Sequence, residues 1–202
     1  MENPYAVVRA FEKTVAEFAG AKYGVSVESC CAAIFLSLKY CGRQLHWDIE
    51  VPKHTYPGVP MAVINAGYKL KFVSKKWKGI YTLNPLPIID SAVRFRKGMY
   101  EGGFHCLSFH AKKHLNIGRG GMILTDDKEA VEWLKMARFD GRREIGLMKD
   151  NATIIGWNMY MTPEQASRGL QLFDYIRQKP DLPDLTDEYP NLSKWSCFKE
   201  VK

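Results

Sequence analysis

Three polar side chains follow short apolar runs of the sequence and could together bind a ligand and move protons. Asp90 directly follows two isoleucines, Ser108 lies in a strand-like run, and Lys113 comes five residues after Ser108. A lysine amine can act as a nucleophile or carry a proton, and a carboxyl group can also transfer protons. Taken singly, each residue has a simpler explanation, since a loop lysine is usually solvated and an aspartate after a strand is commonly a helix cap.

Strands and helices are predicted to alternate along the chain. Apolar residues recur at helical spacing from about residue 8 and again from residue 32, and strand-like runs end near residues 27, 52, 73 and 90. Asp126 with Glu129 resembles a capping box, and Thr162 with Gln165 resembles a second one. The alternation predicts an α/β sandwich with a mostly parallel sheet, in which ligands bind beyond the carboxyl ends of strands.

Composition indicates one soluble globular domain. The chain has 202 residues, of which 46% are hydrophobic and 25% charged, and no apolar stretch is long enough to span a bilayer. The first residues lack the basic and apolar regions of a secretory signal, which predicts a cytoplasmic protein. Five cysteines, with no C-x-x-C spacing, argue against a disulfide framework and against a zinc ribbon.

The basic charge and the histidines admit other functions. A net charge of +7 admits nucleic acid, phosphorylated ligands or a solvated basic surface, and no nucleic-acid-binding motif favours the first. The densest basic stretch, residues 69–78, suits the exposed face and end of a strand. His105, His110 and His114 could be metal ligands, but no cysteine or acid completes a known spacing, so no metal is predicted.

Several segments, read in order, resemble the DegT/DnrJ/EryC1/StrS family of nucleotide-sugar aminotransferases, which depend on pyridoxal 5'-phosphate (PLP). The resemblance runs from about Phe11 to about Tyr175. Its most specific piece is residues 108–113, Ser-Phe-His-Ala-Lys-Lys, followed by a Gly-x-Gly-Gly turn. It implies that Lys113 forms the Schiff base with PLP, because Lys112 lies one residue too early. Histidine at that position would have indicated the dehydratase branch of the family.

The resemblance also implies the roles of four further residues. Asp90 would keep the pyridine nitrogen protonated, Ser108 would hold the phosphate, and Tyr56 would stack on the cofactor ring. Asn158 matches an asparagine that reaches the phosphate in the neighbouring subunit. A homodimer with shared active sites is therefore expected.

The sequence departs from the family pattern at the start of the phosphate-binding helix and near the ring. Cys30 and Cys31 take the place of a Gly-Thr pair, so a thiol replaces the hydroxyl at a predicted cofactor-binding position. Val93 replaces a glutamine that approaches the ring, and Tyr160 replaces an arginine. Looser cofactor positioning is the expected consequence.

The resemblance implies the large domain of the aspartate-aminotransferase fold, a three-layer sandwich without the C-terminal small domain. We expect this domain at residues 1–178, abbreviated between residues 73 and 87, and a C-terminal tail at residues 179–202. The implied activity is transfer of an amino group from a glutamate-like donor to a keto nucleotide-sugar, as in polysaccharide or modified-sugar biosynthesis. The alternative is a non-catalytic PLP-binding or dimerisation module derived from the family.

Overall fold

The computed structural model describes residues 3–42, 47–186 and 188–199, so parts of the predicted tail lie outside the described residues. The helices are α1 (Ala6–Ala19), α2 (Cys30–Cys41), α3 (Gly58–Asn65), α4 (Lys128–Ala137), α5 (Pro163–Arg177) and α6 (Ser196–Lys199). The strands are β1 (Tyr23–Val27), β2 (Asp48–Pro52), β3 (Lys69–Val73), β4 (Tyr81–Thr82), β5 (Ile88–Asp90), β6 (Phe104–Ser108) and β7 (Gly121–Thr125). Short 3-10 turns lie at Leu147–Lys149 and Leu192–Lys194.

A central sheet separates two helical layers. Along β7, Met122 and Leu124 are buried with α1 and α5, whereas Ile123 between them is buried with α2 and α4. This alternation follows from the two-residue period of a strand, whose successive side chains point to opposite faces. The three-layer sandwich is thereby confirmed.

The prediction of a mostly parallel sheet is wrong. The main sheet has five strands in the order β1-β7-β6-β5-β4, and only the β5–β6 pair is parallel. The parallel pair β2–β3 forms a separate two-stranded sheet. The connections explain the difference, because a parallel neighbour needs a crossover, usually a helix. A short turn joins β4 to β5, and the loop from β6 to β7 contains no helix, so both pairs are antiparallel.

The helix caps confirm one sequence prediction and correct another. Thr162 and Gln165 form the predicted capping box of α5, and proline occupies its first turn. At α4 the N-cap is Asp127, whose side chain accepts a hydrogen bond from the Ala130 amide. Asp126, the predicted cap, instead accepts a hydrogen bond from the amide of Lys22.

The C-terminal segment packs along the domain. Asp184 forms a two-point ion pair with Arg94, at 2.7 and 2.8 Å, and the amide of Leu192 donates to the Lys53 carbonyl. Leu192 is fully buried. The segment thus reaches the edge of the cavity described below. In the described residues, no helix has both the length and the apolar character needed to cross a membrane.

Candidate active site

A cavity of about 390 Å³ opens at the carboxyl ends of β5 and β6 and at the N-terminus of α2. It brings together six of the seven residues predicted to bind the cofactor, and Asn158 is the exception. The six are Cys30, Cys31, Tyr56, Asp90, Ser108 and Lys113. Residues separated by more than 80 positions therefore share one site, in the place expected for an α/β fold.

Asp90 forms the buried acid of the cavity. Its Oδ2 atom accepts a hydrogen bond from the Tyr81 hydroxyl at 2.6 Å, and its Oδ1 atom accepts one from the Ala92 amide at 2.9 Å. Burial raises the pKa of Asp90, while these two hydrogen bonds and the ammonium group of Lys113 act to lower it. A cation placed against this carboxyl group would offset the cost of burying its charge.

Tyr81 and Thr55 support Asp90 and were missed by the sequence analysis. The oxygen atoms of Thr55 and Tyr81 lie 2.6 Å apart, so a hydrogen-bonded chain runs from Thr55 through Tyr81 to Asp90. Burial and the neighbouring Asp90 raise the pKa of Tyr81 well above its ordinary value, so the phenol keeps the proton it donates. Tyr81 lies in the two-residue β4, within a Gly, Asn and Pro-rich stretch that carries no periodic pattern to reveal it.

The N-terminus of α2 provides an anion-binding end to the cavity. The Ser29 side chain caps the helix by accepting from the Ala32 amide, while Cys30 and Cys31 in the first turn line the cavity. A Cβ atom on Gly121 would lie 2.5 Å from the Ser29 carbonyl carbon. Glycine therefore lets β7 approach this helix end closely.

The two cysteines are neutral thiols. Burial, with Asp90 nearby, raises the pKa of Cys30 well above its ordinary value, and the same causes raise the pKa of Cys31 to about 11. Neither thiol therefore adds negative charge beside a bound phosphate at neutral pH. The Cys30 sulfur lies 3.4 Å from the Cys106 carbonyl oxygen, to which it can donate.

Lys113 lies in the loop from β6 to β7, which backbone hydrogen bonds hold against the sheet. The Phe109 amide donates to the Gly120 carbonyl at 2.9 Å, and the Lys113 amide donates to the His110 carbonyl at 2.8 Å. Lys112 also lines the cavity, but its side chain is exposed whereas Lys113 is half-buried. Ser108 ends β6 at the same edge of the sheet.

Arg119, Glu188 and Tyr189 line the cavity mouth and were also missed by the sequence analysis. Arg119 forms a 2.8 Å ion pair with Glu28. Its position in the Gly-x-Gly-Gly turn could have identified Arg119 as a site residue, because this turn directly follows the lysine loop. Glu188 and Tyr189 belong to the predicted tail, which carries no motif that would indicate a role in the site.

Asn158 lies on the exposed surface, outside the cavity of its own chain. Its side-chain amide donates to Asp140 at 3.0 Å. The neighbouring Tyr160, which replaces the family arginine, packs edge-on against Phe139 and Tyr5. Val93 does line the cavity, in line with its expected position near the ring.

The three histidines considered as metal ligands have different surroundings. His105 is buried beside the Ser91 hydroxyl, at 3.0 Å, and His114 lies 2.9 Å from the Pro183 carbonyl. His110 lines the cavity mouth. Over residues 3–42, 47–186 and 188–199, no three His, Cys, Asp or Glu side chains gather as a metal site would require.

Comparison with known proteins decides the family. The profile of the DegT/DnrJ/EryC1/StrS aminotransferase family matches residues 1–86 and 96–179. The chain belongs to this family. Spore coat polysaccharide biosynthesis protein SpsC of Bacillus subtilis is 27% identical, over 66% of this chain and 46% of that protein. The chain spans about half the length of the curated relatives it matches.

Solved structures share the fold of this family member. A putative PLP-dependent aminotransferase from Bacillus cereus superimposes with a TM-score of 0.74 at 19% identity, covering 87% of this chain and 60% of that one. Helicobacter pylori PseC, an aminotransferase of pseudoaminic acid biosynthesis, has a TM-score of 0.69 at 17% identity, with 84% and 57% covered.

The residues of the cavity fit PLP, the cofactor of the family. A buried carboxyl group that accepts hydrogen bonds from the neutral groups of Tyr81 and Ala92 suits a protonated ring nitrogen. A helix N-terminus with a serine in the same cavity suits a phosphate, and Lys113 lines that cavity too. Tyr56 gives the cavity an aromatic wall.

Proposed function

We propose that this chain is a PLP-dependent aminotransferase that uses Lys113 and acts on a keto nucleotide-sugar with a glutamate-like amine donor. One observation carries the proposal: Lys113, Asp90 and the N-terminus of α2 line a single cavity. Lysine, acid and phosphate cradle are the three groups that PLP chemistry requires of a protein.

Each residue of the cavity has a distinct task in this proposal. PLP, when bound, supplies a carbonyl carbon that takes the amino group and a ring that withdraws electrons. Lys113 would attach the cofactor through its Nζ atom and then carry the proton during transfer. Asp90 would pair with the ring nitrogen, and Tyr81 would hold the carboxyl group of Asp90 in place. Ser108 and the first turn of α2 would hold the phosphate, with the Cys31 thiol as a weak donor and with Cys30, whose thiol donates to the Cys106 carbonyl, lining the site.

The substrate class rests on the family and on the chemistry of the cavity mouth. SpsC is named for spore coat polysaccharide biosynthesis and PseC for pseudoaminic acid biosynthesis, both of which concern sugars. Arg119 lines the cavity, and its guanidinium group, now paired with Glu28, would bind the carboxylate of an amino-acid donor. Activity in the cytoplasm remains a prediction from sequence.

We also propose a homodimer in which the partner completes each site. Leu147, Met148 and Ile155 are 67%, 97% and 85% exposed. We name these three apolar side chains, on the segment that leads to Asn158, the apolar patch. A second copy covering this patch would bring Asn158 towards the partner's cavity. Exposed apolar surface of this kind marks an interaction site.

The visible absorbance spectrum with added PLP tests the catalytic proposal. We expect a band in the wild type and in Lys112→Ala but not in Lys113→Ala, and we expect glutamate to bleach it. A Lys113-dependent band that no amino acid changes would instead support the non-catalytic PLP-binding module. Absence of any Lys113-dependent band would refute the cofactor assignment.

Sedimentation velocity tests the homodimer. The wild type should sediment as a dimer, Met148→Asp with Ile155→Asp should sediment as a folded monomer, and Met61→Asp serves as an exposed apolar control away from that segment. A wild-type monomer, with or without PLP, would contradict the shared site.

A further inference from the structure

The C-terminal segment, described at residues 180–186 and 188–199, borders the mouth of the active-site cavity, and we call it the strap. The sequence predicts a tail here, and the family profile ends at residue 179. Glu188 and Tyr189 of the strap line the cavity, and Leu192 further along it is fully buried. A segment with a buried anchor is part of the folded domain.

The strap contacts the loop that follows β5. The Leu185 amide donates to the Val93 carbonyl at 2.9 Å, and Asp184 forms the two-point ion pair with Arg94. Both side chains of this ion pair are largely buried, so salt screens it little. The family profile leaves residues 87–95 unmatched as well as the strap, so two unmatched segments of the chain contact each other.

The strap also contacts the loop that follows β2 and carries Tyr56. The Leu192 amide donates to the Lys53 carbonyl at 2.9 Å. The His54 Nδ1 atom lies 2.9 Å from the Tyr189 carbonyl oxygen, to which it can donate. This end of the strap therefore holds the backbone two to three residues before Tyr56.

A third contact joins the strap to the loop that carries Lys113. The His114 Nε2 atom lies 2.9 Å from the Pro183 carbonyl oxygen, and the imidazole must donate because a carbonyl can only accept. The Lys113 amide bonds locally, to the His110 carbonyl at 2.8 Å. The contact at His114 adds a restraint from a distant part of the chain.

We infer that the strap positions the active site by joining the three loops next to Tyr56, Asp90 and Lys113. These loops follow different strands, and β2 belongs to a separate sheet from β5 and β6. A segment bonded to all three loops therefore fixes distances between side chains that no single strand pairing sets. That these loops serve PLP rests on the proposed function, whereas the restraint on the loops does not.

Hydrogen exchange in the full, PLP-free chain tests the restraint. Leu192 is not among the described residues that line the cavity, so Leu192→Ala changes no group that would touch a ligand there. This variant should speed exchange of the Arg94 and Lys113 amides, which are hydrogen-bonded within their own loops, about tenfold, because loop amides exchange through local opening.

The matched control for exchange is Leu134→Ala, which truncates an equally buried leucine on α4. It should leave the Arg94 and Lys113 amides unchanged. Faster exchange confined to the strap in Leu192→Ala, or equal acceleration of the loop amides in both variants, would overturn the inference.

PLP affinity gives a second readout. Loops that are ordered only part of the time lower the apparent affinity in proportion, so Leu192→Ala should bind PLP about tenfold more weakly than wild type. Because coupling is reciprocal, PLP should slow exchange of the Leu185 and Leu192 amides in the wild type. Equal PLP affinity in wild type and Leu192→Ala would contradict the positioning role.

His114 variants provide a test that does not disturb a buried anchor. His114→Ala should weaken PLP binding about threefold, as expected for one hydrogen bond, and His114→Gln, which keeps an N–H donor, should recover most of the loss. Unchanged affinity in His114→Ala, or equal losses in the two variants, would argue against the contact with Pro183.

The wild-type spectrum with PLP separates failure of the inference from failure of the proposed function. Without a Lys113-dependent band, the cofactor assignment fails, and the exchange comparison still tests the strap. A Lys113-dependent band together with unchanged loop exchange and PLP affinity in Leu192→Ala would overturn the role of the strap alone.

Discussion

Glu12 and Asp90 are two carboxyl groups buried to a similar degree, at 3% and 5% exposure, in contrasting surroundings. Glu12 accepts hydrogen bonds from the amide and the hydroxyl of Ser26, both at 2.9 Å, and pairs with the buried guanidinium of Arg138. Asp90 accepts from the neutral groups of Tyr81 and Ala92 and faces a cavity.

The difference indicates which acid serves the fold and which serves the site. The charge of Glu12 is balanced inside the protein, so this network links α1, β1 and the end of α4. Hydrogen bonds stabilise the charged form of Asp90, but its pKa is raised because the effect of burial is larger. A protein retains a costly buried acid of this kind where a ligand completes its environment.

Replacement of Glu12 should have the largest effect on stability. Glu12→Gln removes the buried charged partner of Arg138, which keeps only the longer, 3.4 Å ion pair with the partly exposed Glu144 among the described residues. The unfolding free energy should therefore fall by about 3 kcal/mol. Glu17→Gln on the same helix removes an exposed ion pair with Lys13 and should cost under about 1 kcal/mol. Urea denaturation measures both. Equal losses in the two variants would show that the Glu12 network is not structural.

Asp90→Asn should affect cofactor binding more than folding. Loss of a charge-assisted contact should weaken PLP binding about ten- to a hundredfold. The surface variant Asp174→Asn is the matched control and should bind PLP like wild type. Unchanged PLP affinity in Asp90→Asn would contradict the assigned role of the acid.

The difference in stability between the wild type and Asp90→Asn should depend on pH in the PLP-free protein. Because the folded-state pKa of Asp90 is raised above 3.8, the folded state binds more protons than the unfolded state in the window just above that value. The wild type must therefore lose stability, relative to Asp90→Asn, as pH rises through this window. Urea denaturation at several acidic pH values measures the unfolding free energy of both proteins. A wild type that gains stability relative to Asp90→Asn as pH rises would contradict the prediction.

Tyr81→Phe should have a smaller and more specific effect. Without the hydroxyl, Asp90 keeps its proton to higher pH, because this hydrogen bond lowers its pKa. PLP affinity should fall by about fivefold, and the acid limb of its pH profile should move upward. Tyr68→Phe removes a hydroxyl that donates to the Leu38 carbonyl at 3.0 Å, away from the cavity, and should leave the profile unmoved.

Cys31→Thr should have the smallest effect and the opposite sign. A hydroxyl is a stronger donor than the neutral thiol, so phosphate should bind about two- to threefold more tightly. Cys197→Thr, at an exposed position, should change nothing. Titration with inorganic phosphate and with PLP measures the gain. Weaker binding in Cys31→Thr would show that the thiol suits this site better than the family hydroxyl.

Local motifs allowed much of the site to be predicted from sequence. Asp90 and Ser108 end β5 and β6, and Lys113 follows in the next loop. Because β5 and β6 are parallel, their carboxyl ends lie at the same edge of the sheet. The predicted strand directions are wrong because the alternation of strands and helices does not specify whether neighbouring strands run parallel or antiparallel.

The residues that sequence analysis missed depend on chain segments without periodic patterns. Tyr81 reaches Asp90 only because β4 pairs with β5 as a hairpin. Tyr189 lines the active-site cavity because the C-terminal segment returns across the domain. Such encounters follow from tertiary packing, which single-residue propensity and short motifs do not encode.

The most direct test of the account is to identify the residue that becomes attached to PLP. Purified protein incubated with PLP can be reduced with borohydride, digested and mapped by mass spectrometry. The account predicts a pyridoxyl group on Lys113 in wild type and in Lys112→Ala. Labelling of Lys112, or of scattered surface lysines with Lys113 unmodified, would contradict the assignment of Lys113 as the cofactor lysine.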